Sequence, residues 1–254
     1  MRASELSLFL LFKVSIVLFL GGFIQSSAGF GFGLFSLPIL LFFKFKLQEA
    51  VIIIILGSSI QKIIGIRYFK KIIDHKELSP LIISGLIGLP IGLYFMFKVS
   101  GFQQSFVKQL IGFLILLMLM LRWSNVLKSA DKVKSVWTFI AGFISGILNG
   151  FANVGGPPAV LWVLAQKWDN RKMRSAVIYF SLFFAPFQIA TMMVLFGYTL
   201  CSPLLYSLVL SPFVVFGTWC GLKFGDNFSK KILEKYMETL LFLIAIASII
   251  KPFI

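Results

Sequence analysis

Gly22-Phe23-Ile24-Gln25-Ser26-Ser27-Ala28-Gly29-Phe30-Gly31-Phe32-Gly33 and, in the second half of the chain, Gly146-Ile147-Leu148-Asn149-Gly150-Phe151-Ala152-Asn153-Val154-Gly155-Gly156-Pro157-Pro158 decide how this sequence is read. A shift of 124 positions sets Gly22 on Gly146, Gln25 on Asn149, Ala28 on Ala152 and Gly31 on Gly155. Each copy is an apolar stretch interrupted by glycine. Corresponding Gly/Pro interruptions in two halves of a membrane protein point to the binding site of a transporter.

The composition around these breaks is that of a polytopic membrane protein. Of 254 residues, 59% are hydrophobic and 13% charged, 30 are Phe, and mean hydropathy is +0.96. No water-soluble fold buries that much apolar surface. The net charge of +15 does not indicate nucleic acid, because Lys and Arg sit between apolar runs rather than along one face. They fit cytoplasmic loops under the positive-inside rule. Cys201 and Cys220, the only cysteines, lie about 28 Å apart if 202–223 is one helix, too far for a disulfide. Ser26-Ser27-Ala28 resembles a signal-peptide cleavage site, but Lys13 interrupts the preceding apolar run and cleavage would destroy the first copy of the repeat.

Apolar segments run over 6–27, 33–43, 48–66, 78–97 and 105–121, then 135–151, 156–166, 174–197, 202–223 and 235–250. Each half is a broken pair followed by three ordinary spans, dividing one membrane domain into repeats 1–127 and 128–254. As one helix, 6–43 would be about 57 Å long against a ~30 Å hydrocarbon core. It must bend, at the Gly29–Gly33 cluster in the first half and at Gly155-Gly156-Pro157-Pro158 in the second.

Charge chooses between a straight span and a hairpin. If each broken stretch returns to its starting side, the loops 67–77, 122–134, 167–174 and 223–235 share one side. They hold Arg67, Lys70, Lys71, Lys76, Arg122, Lys128, Lys132, Lys134, Lys167, Arg171, Lys172, Arg174, Lys223, Lys230, Lys231 and Lys235, which is 16 of the 24 basic residues. Arg2, Lys44, Lys46, Lys98 and Lys251 fall opposite, and Trp123, Trp137, Trp168 and Trp219 flank the same four loops as an aromatic belt. The expected fold is all-α: two inverted repeats, each a broken helical hairpin plus three transmembrane helices, or eight full spans if each hairpin counts as one. The loops are expected in the cytoplasm of a multi-pass cell-membrane protein, with both termini extracytoplasmic.

A hairpin turning inside a membrane exposes backbone groups that protein or water must satisfy. Its second leg starts a helix near Gly33 in one copy and near Pro157–Ala159 in the other, and free first-turn N–H groups favour anions. Gly29, Gly31, Gly33, Gly155 and Gly156 are the candidate tip residues. Gln25, Ser26, Ser27, Asn149 and Asn153 add neutral donors. Gly142, Gly146 and Gly150 instead form a packing stripe at a spacing of four. Gln61 and Gln188, related by a shift of 127, either line the pathway or cross-link helices. Lys62 either attracts an anion or snorkels to the interface; for Lys13 and Lys108 snorkelling is expected. Pro186 and Pro212 are expected to kink their helices.

No carboxylate lies in the middle of an apolar segment, and His75 sits in a charged loop. No Walker loop, metal cluster or nucleophile–base pair appears, so neither an enzyme nor a bound cofactor or metal is expected. The expected partners are a small anionic substrate and the lipid bilayer; a homodimer is compatible with the sequence, nucleic acid is not. The carrier reading stands beside a passive channel for small anions or neutral solutes, and beside a membrane scaffold without transport.

Gly22–Pro38 and Gly142–Leu161, each followed by a cationic loop and an alanine-led span (Glu49-Ala50-Val51; Ser175-Ala176-Val177), resemble the sulfite exporter TauE/SafE family over essentially the whole chain. The resemblance implies a secondary transporter of small sulfur-containing anions, sulfite or organosulfonates, with the substrate bound near the two glycine motifs. Phe30 and Phe32 within the first motif, and Asn153 with Pro157-Pro158 in the second, depart from the more glycine-rich family pattern.

Overall fold

The computed structural model describes residues 8–69, 75–123, 133–166, 168–227 and 230–250. The tracts 70–74, 124–132 and 228–229, Lys167, and Arg2 and Lys251 with the termini around them, lie outside the described residues. So does the side chain of His75. The helices are α1 (Leu8–Ala28), α2 (Phe32–Phe42), α3 (Leu47–Tyr68), α4 (His75–Val99), α5 (Gln104–Trp123), α6 (Ser135–Ala152), α7 (Gly156–Ala165), α8 (Asn170–Leu182), α9 (Phe184–Phe196), α10 (Cys201–Val209), α11 (Ser211–Asn227) and α12 (Lys230–Ile250). No strand occurs among the described residues. Among the described residues, five helical stretches are long and apolar enough to cross a membrane, and the fold is an all-α polytopic membrane fold.

α2 and α7 are half-length helices, with 11 and 10 residues, or about 15–17 Å each against a ~30 Å core. Both fold back along the helix before them. The Lys13 ammonium, near the start of α1, lies over the Phe43 ring beyond the end of α2 at 5.6 Å. Near the end of α7, Trp162 Nε1 donates to Thr138 Oγ1 near the start of α6 at 2.8 Å. Each broken stretch is therefore a hairpin.

Glycines let four long helices approach backbone to backbone. α4 packs along α6 and α1 along α11, while α5 lies against α12. A Cβ at Gly88 or Gly92 would strike the Phe143 or Ile147 carbonyl oxygen of α6; one at Gly217 or Gly221 would strike that of Phe19 or Phe23 in α1. Phe143 and Ile147 are the residues 124 positions beyond Phe19 and Phe23, and Gly217 and Gly221 stand 129 beyond Gly88 and Gly92. The expected stripe takes part from the other side, with Gly142, Gly146 and Gly150 set against the Leu81, Gly85 and Leu89 carbonyls. α3 runs against α8 in the opposite sense, since Gly65 meets Ile178 and Lys62 reaches Ser181.

Two expected spans are broken. Residues 174–197 divide into α8 and α9 at Phe183, three residues before Pro186; 202–223 divide into α10 and α11 at Leu210, two before Pro212. Proline lacks the N–H that would continue the ladder, and its ring crowds the preceding turn. The expected loop 167–174 is also shorter than its charge pattern suggests. The Asp169 side chain accepts the Lys172 N–H at 3.3 Å, an N-cap that starts α8 at Asn170 and draws Arg171, Lys172 and Arg174 into the helix.

Candidate functional site

The two hairpin tips meet. At the first, α1 ends at Ala28, and Gly29 and Gly31 hold φ of 87° and 111° on either side of Phe30. Only glycine adopts this left-handed backbone without strain. The first bond within α2 runs from the Phe35 N–H to the Gly31 carbonyl at 2.9 Å, leaving the N–H groups of Phe32, Gly33 and Leu34 without an acceptor inside the helix. At the second tip Asn153 closes α6 in a left-handed conformation, φ 53°. α7 then begins at Gly156, and Pro157 and Pro158 remove two of its first-turn donors. The tips touch where a Cβ on Gly33 would strike the Asn153 carbonyl oxygen.

Between them lies a cavity of about 30 Å³ whose wall includes Gln25, Gly31, Gly33, Asn149, Asn153 and Gly156, with Ser58 and Lys62 from α3 and Ser181 from α8. That volume holds one or two water-sized groups. Lys62 is only 4% exposed and does not snorkel. Its Nζ donates to Ser58 Oγ at 3.2 Å and to the Ser181 carbonyl at 3.4 Å. The Ser181 carbonyl lies at the end of α8. Pro186, four residues beyond Leu182, supplies no N–H to that helix end, and carbonyls at a helix C-terminus favour a cation. Ser58 Oγ also accepts from Asn153 Nδ2 at 3.3 Å and donates to the Ile55 carbonyl at 3.2 Å, which uses both acceptor sites and its proton.

Among the described residues, no carboxylate stands in the cavity wall, and Lys62 is its one formal charge. Asn149, 3% exposed, has a buried Nδ2 without a hydrogen-bond acceptor among the described residues. A buried cation facing neutral dipoles and an unsatisfied amide donor are two unmet demands for an acceptor.

The model of the family described as sulfite exporter TauE/SafE matches residues 14–248, nearly the whole chain. The chain belongs to the sulfite exporter TauE/SafE family. No curated protein and no solved structure matches it significantly. Membership supports a multi-pass membrane transporter.

Several candidate residues of this TauE/SafE protein stand behind the cavity wall rather than on it. Gln61 Nε2 donates to Ser26 Oγ at 3.1 Å, and Gln188 Nε2 donates to the Asn149 carbonyl at 2.6 Å. Both glutamines thus cross-link a span to the last turns of a hairpin's first helix. Ser27 Oγ bonds back to the Ile24 carbonyl at 3.1 Å. Gly155 packs on Asn149 and on the Ser145 carbonyl, and Gly29 on the Arg174 side chain.

Three contributors were not visible as site residues in the sequence. Ser58 lies four residues before Lys62, a spacing that puts both on one helix face, and that signal was available. The Ser181 main-chain carbonyl carries no side-chain signature. Arg174 reads as a loop charge, yet its guanidinium bonds the Ser26 carbonyl in the last turn of α1 and lies 5.1 Å from the Phe69 ring. A cation there favours the helix end that leads into the first tip.

Proposed function

We propose that this protein is a secondary carrier for a small sulfur-containing oxyanion, sulfite or an organosulfonate, bound in the cavity between the hairpin tips. The observation that carries the reading is Lys62, a buried cation with no carboxylate in the cavity wall among the described residues. A desolvated charge of this kind is costly until an anion neutralises it. Asn149 Nδ2, the first-turn N–H groups of α2 and the Gln25 amide supply neutral donors around it. Neutral donors hold an anion without making its release prohibitive. The family supports sulfur as the central atom.

Alternating exposure comes from one half of the chain moving against the other. Support for two equivalent halves is the matched pairing of Gly88 and Gly92 on α6 with Gly217 and Gly221 on α1. Opposed insertion is supported by α3 and α8 running in opposite senses, because they are the third segments of the two halves. The basic helix ends and their tryptophans set the orientation, with the Arg67, Lys134, Arg174 and Lys223 side cytoplasmic.

The test is binding and flux by purified protein in liposomes. Sulfite at about 100 times its Kd should stabilise the wild type by roughly 2.7 kcal/mol. Lys62→Gln should abolish that stabilisation and the flux while leaving the unliganded protein at least as stable. Saturable flux with counter-transport marks a carrier, and ohmic, unsaturated conduction would replace this reading with a channel. Unchanged sulfite stabilisation in Lys62→Gln refutes the site.

A further inference from the structure

A second cavity of about 30 Å³ adjoins the first, lined by Ala28, Gly29, Phe30, Met173, Arg174 and Val177 among others. Phe30 and Val177 are the two residues common to both walls. They form the partition between a chamber edged by Arg174 and the chamber of Lys62. The two partition residues differ in backbone setting. Val177 lies inside α8, where its backbone is fixed by the helix. Phe30 belongs to no helix and is held between Gly29 and Gly31, both with left-handed φ. Glycines on both sides give the backbone around it torsional alternatives that a helical residue lacks.

We propose that Phe30 is the gate between these chambers, and that the chamber beside Arg174 is the antechamber through which a small oxyanion reaches Lys62. The proposal rests on the reading of the Lys62 cavity as the substrate site. In the closed position Phe30, 3% exposed, blocks the passage with an apolar ring. Rotation about the Gly29 and Gly31 backbone joins the chambers. Arg174 attracts the anion to the outer chamber, and its bond to the Ser26 carbonyl holds the end of α1 still while the segment beyond it moves.

The experiment measures access rather than transport. In a full-length Cys201→Ser, Cys220→Ser background, Ser181→Cys places a thiol on the wall of the inner chamber and leaves intact the main-chain carbonyl that Lys62 uses. The protein in liposomes is treated with an anionic (sulfonatoethyl) or a cationic (trimethylammonioethyl) methanethiosulfonate. Phe30→Ala should raise modification of that thiol by both reagents at least about tenfold, and Phe30→Leu should do so by less, as a gate of shrinking bulk requires. Arg174→Gln should slow the anionic reagent several-fold relative to the cationic one. If Phe30→Ala does not give monodisperse protein, Phe30→Leu decides. Rates unchanged in the folded Phe30 variant overturn the gate, and equal slowing of both reagents by Arg174→Gln overturns the antechamber. Neither result depends on sulfite. A Lys62→Gln variant that retains sulfite stabilisation refutes the substrate site while the access rates stand on their own.

Discussion

Gly33→Ala and Gly156→Ala make the same chemical change in the first turn of a half-helix, and the structure expects different results. An alanine Cβ at position 33 would strike the Asn153 carbonyl oxygen and stand 3.1 Å from its carbonyl carbon. Both atoms are backbone, so relief requires moving one hairpin tip away from the other. Apart from its two chain neighbours, the nearest atom at position 156 is the Phe30 Cβ at 3.8 Å, an ordinary contact. Replacing glycine by alanine in a helix favours folding by about 0.5–1 kcal/mol; at position 156 the Pro157 ring crowds the new Cβ and offsets that gain. Gly33→Ala adds an overpacking cost of about 1–3 kcal/mol. Gly156→Ala should therefore stay near the wild type, and Gly33→Ala should fall below Gly156→Ala by about that cost. At roughly 2–4 °C per kcal/mol for a chain of this size, the two melting temperatures should differ by about 2–12 °C. Thermal unfolding of the two variants in one detergent reads this directly. Separating the tips also stretches the Asn153 Nδ2–Ser58 Oγ bond, so sulfite stabilisation should decline in Gly33→Ala beyond the fall in melting temperature. Equal melting temperatures for the two variants would refute the argument that the tips meet at Gly33.

Pro186→Ala should raise unliganded stability, by up to the ~3 kcal/mol that proline costs inside a helix. It should also weaken sulfite binding: the restored N–H pairs with the Leu182 carbonyl, and straightening the break would draw the neighbouring Ser181 carbonyl, which Lys62 uses, back into the ladder; thermal shifts with and without sulfite separate the two effects. Gly88→Leu and Gly217→Leu should lower the melting temperature to a similar extent, since each forces a helix off an equivalent carbonyl; a loss confined to one of them would count against two matched halves. Cysteine labelling should place positions 44–46 and 70–76 on opposite sides of the membrane, and labelling from one side would sink the orientation proposed from the basic residues.

The hairpins were legible because glycine and proline act locally. Gly29, Gly31 and the Pro157-Pro158 pair dictate a break wherever they stand in an apolar run, and a 38-residue stretch cannot cross a ~30 Å core without turning. Phe19 and Phe143, 124 positions apart, each meet a glycine of another helix, Gly217 and Gly88, although those glycines stand 129 apart. What Lys62 does was not legible. Its place near the end of a span is equally compatible with snorkelling, and the choice depends on α8 ending beside it. That ending follows from Pro186, whose kink was foreseen but whose partner, 124 residues away in the chain, was not. Arg174 was obscured by its neighbours, because within Arg171-Lys172-Met173-Arg174 one more charge looks like loop. The Asp169 cap turns that run into helix and places Arg174 against α1.

Chemistry in the cavity comes from where the halves differ, not from where they match. The position 127 beyond Lys62 is Ile189, and the position 124 beyond it is Pro186. One half thus supplies the cation; the other supplies an apolar residue and the proline that opens a helix end to receive that cation. The tips divide in the same way: α2 keeps its N–H groups at Phe32, Gly33 and Leu34, while α7 replaces two of its own with proline. Charge and backbone donors therefore belong to the first half, and Asn149, Asn153 and the Ser181 carbonyl to the second. On the function proposed above, an anion in the cavity would draw on both sets at once. It would compete with the Ser181 carbonyl for the Lys62 ammonium and satisfy the Asn149 amide. Binding would then exchange a direct bond between the halves for one made through the substrate, and a carrier whose halves must move relative to each other needs that exchange.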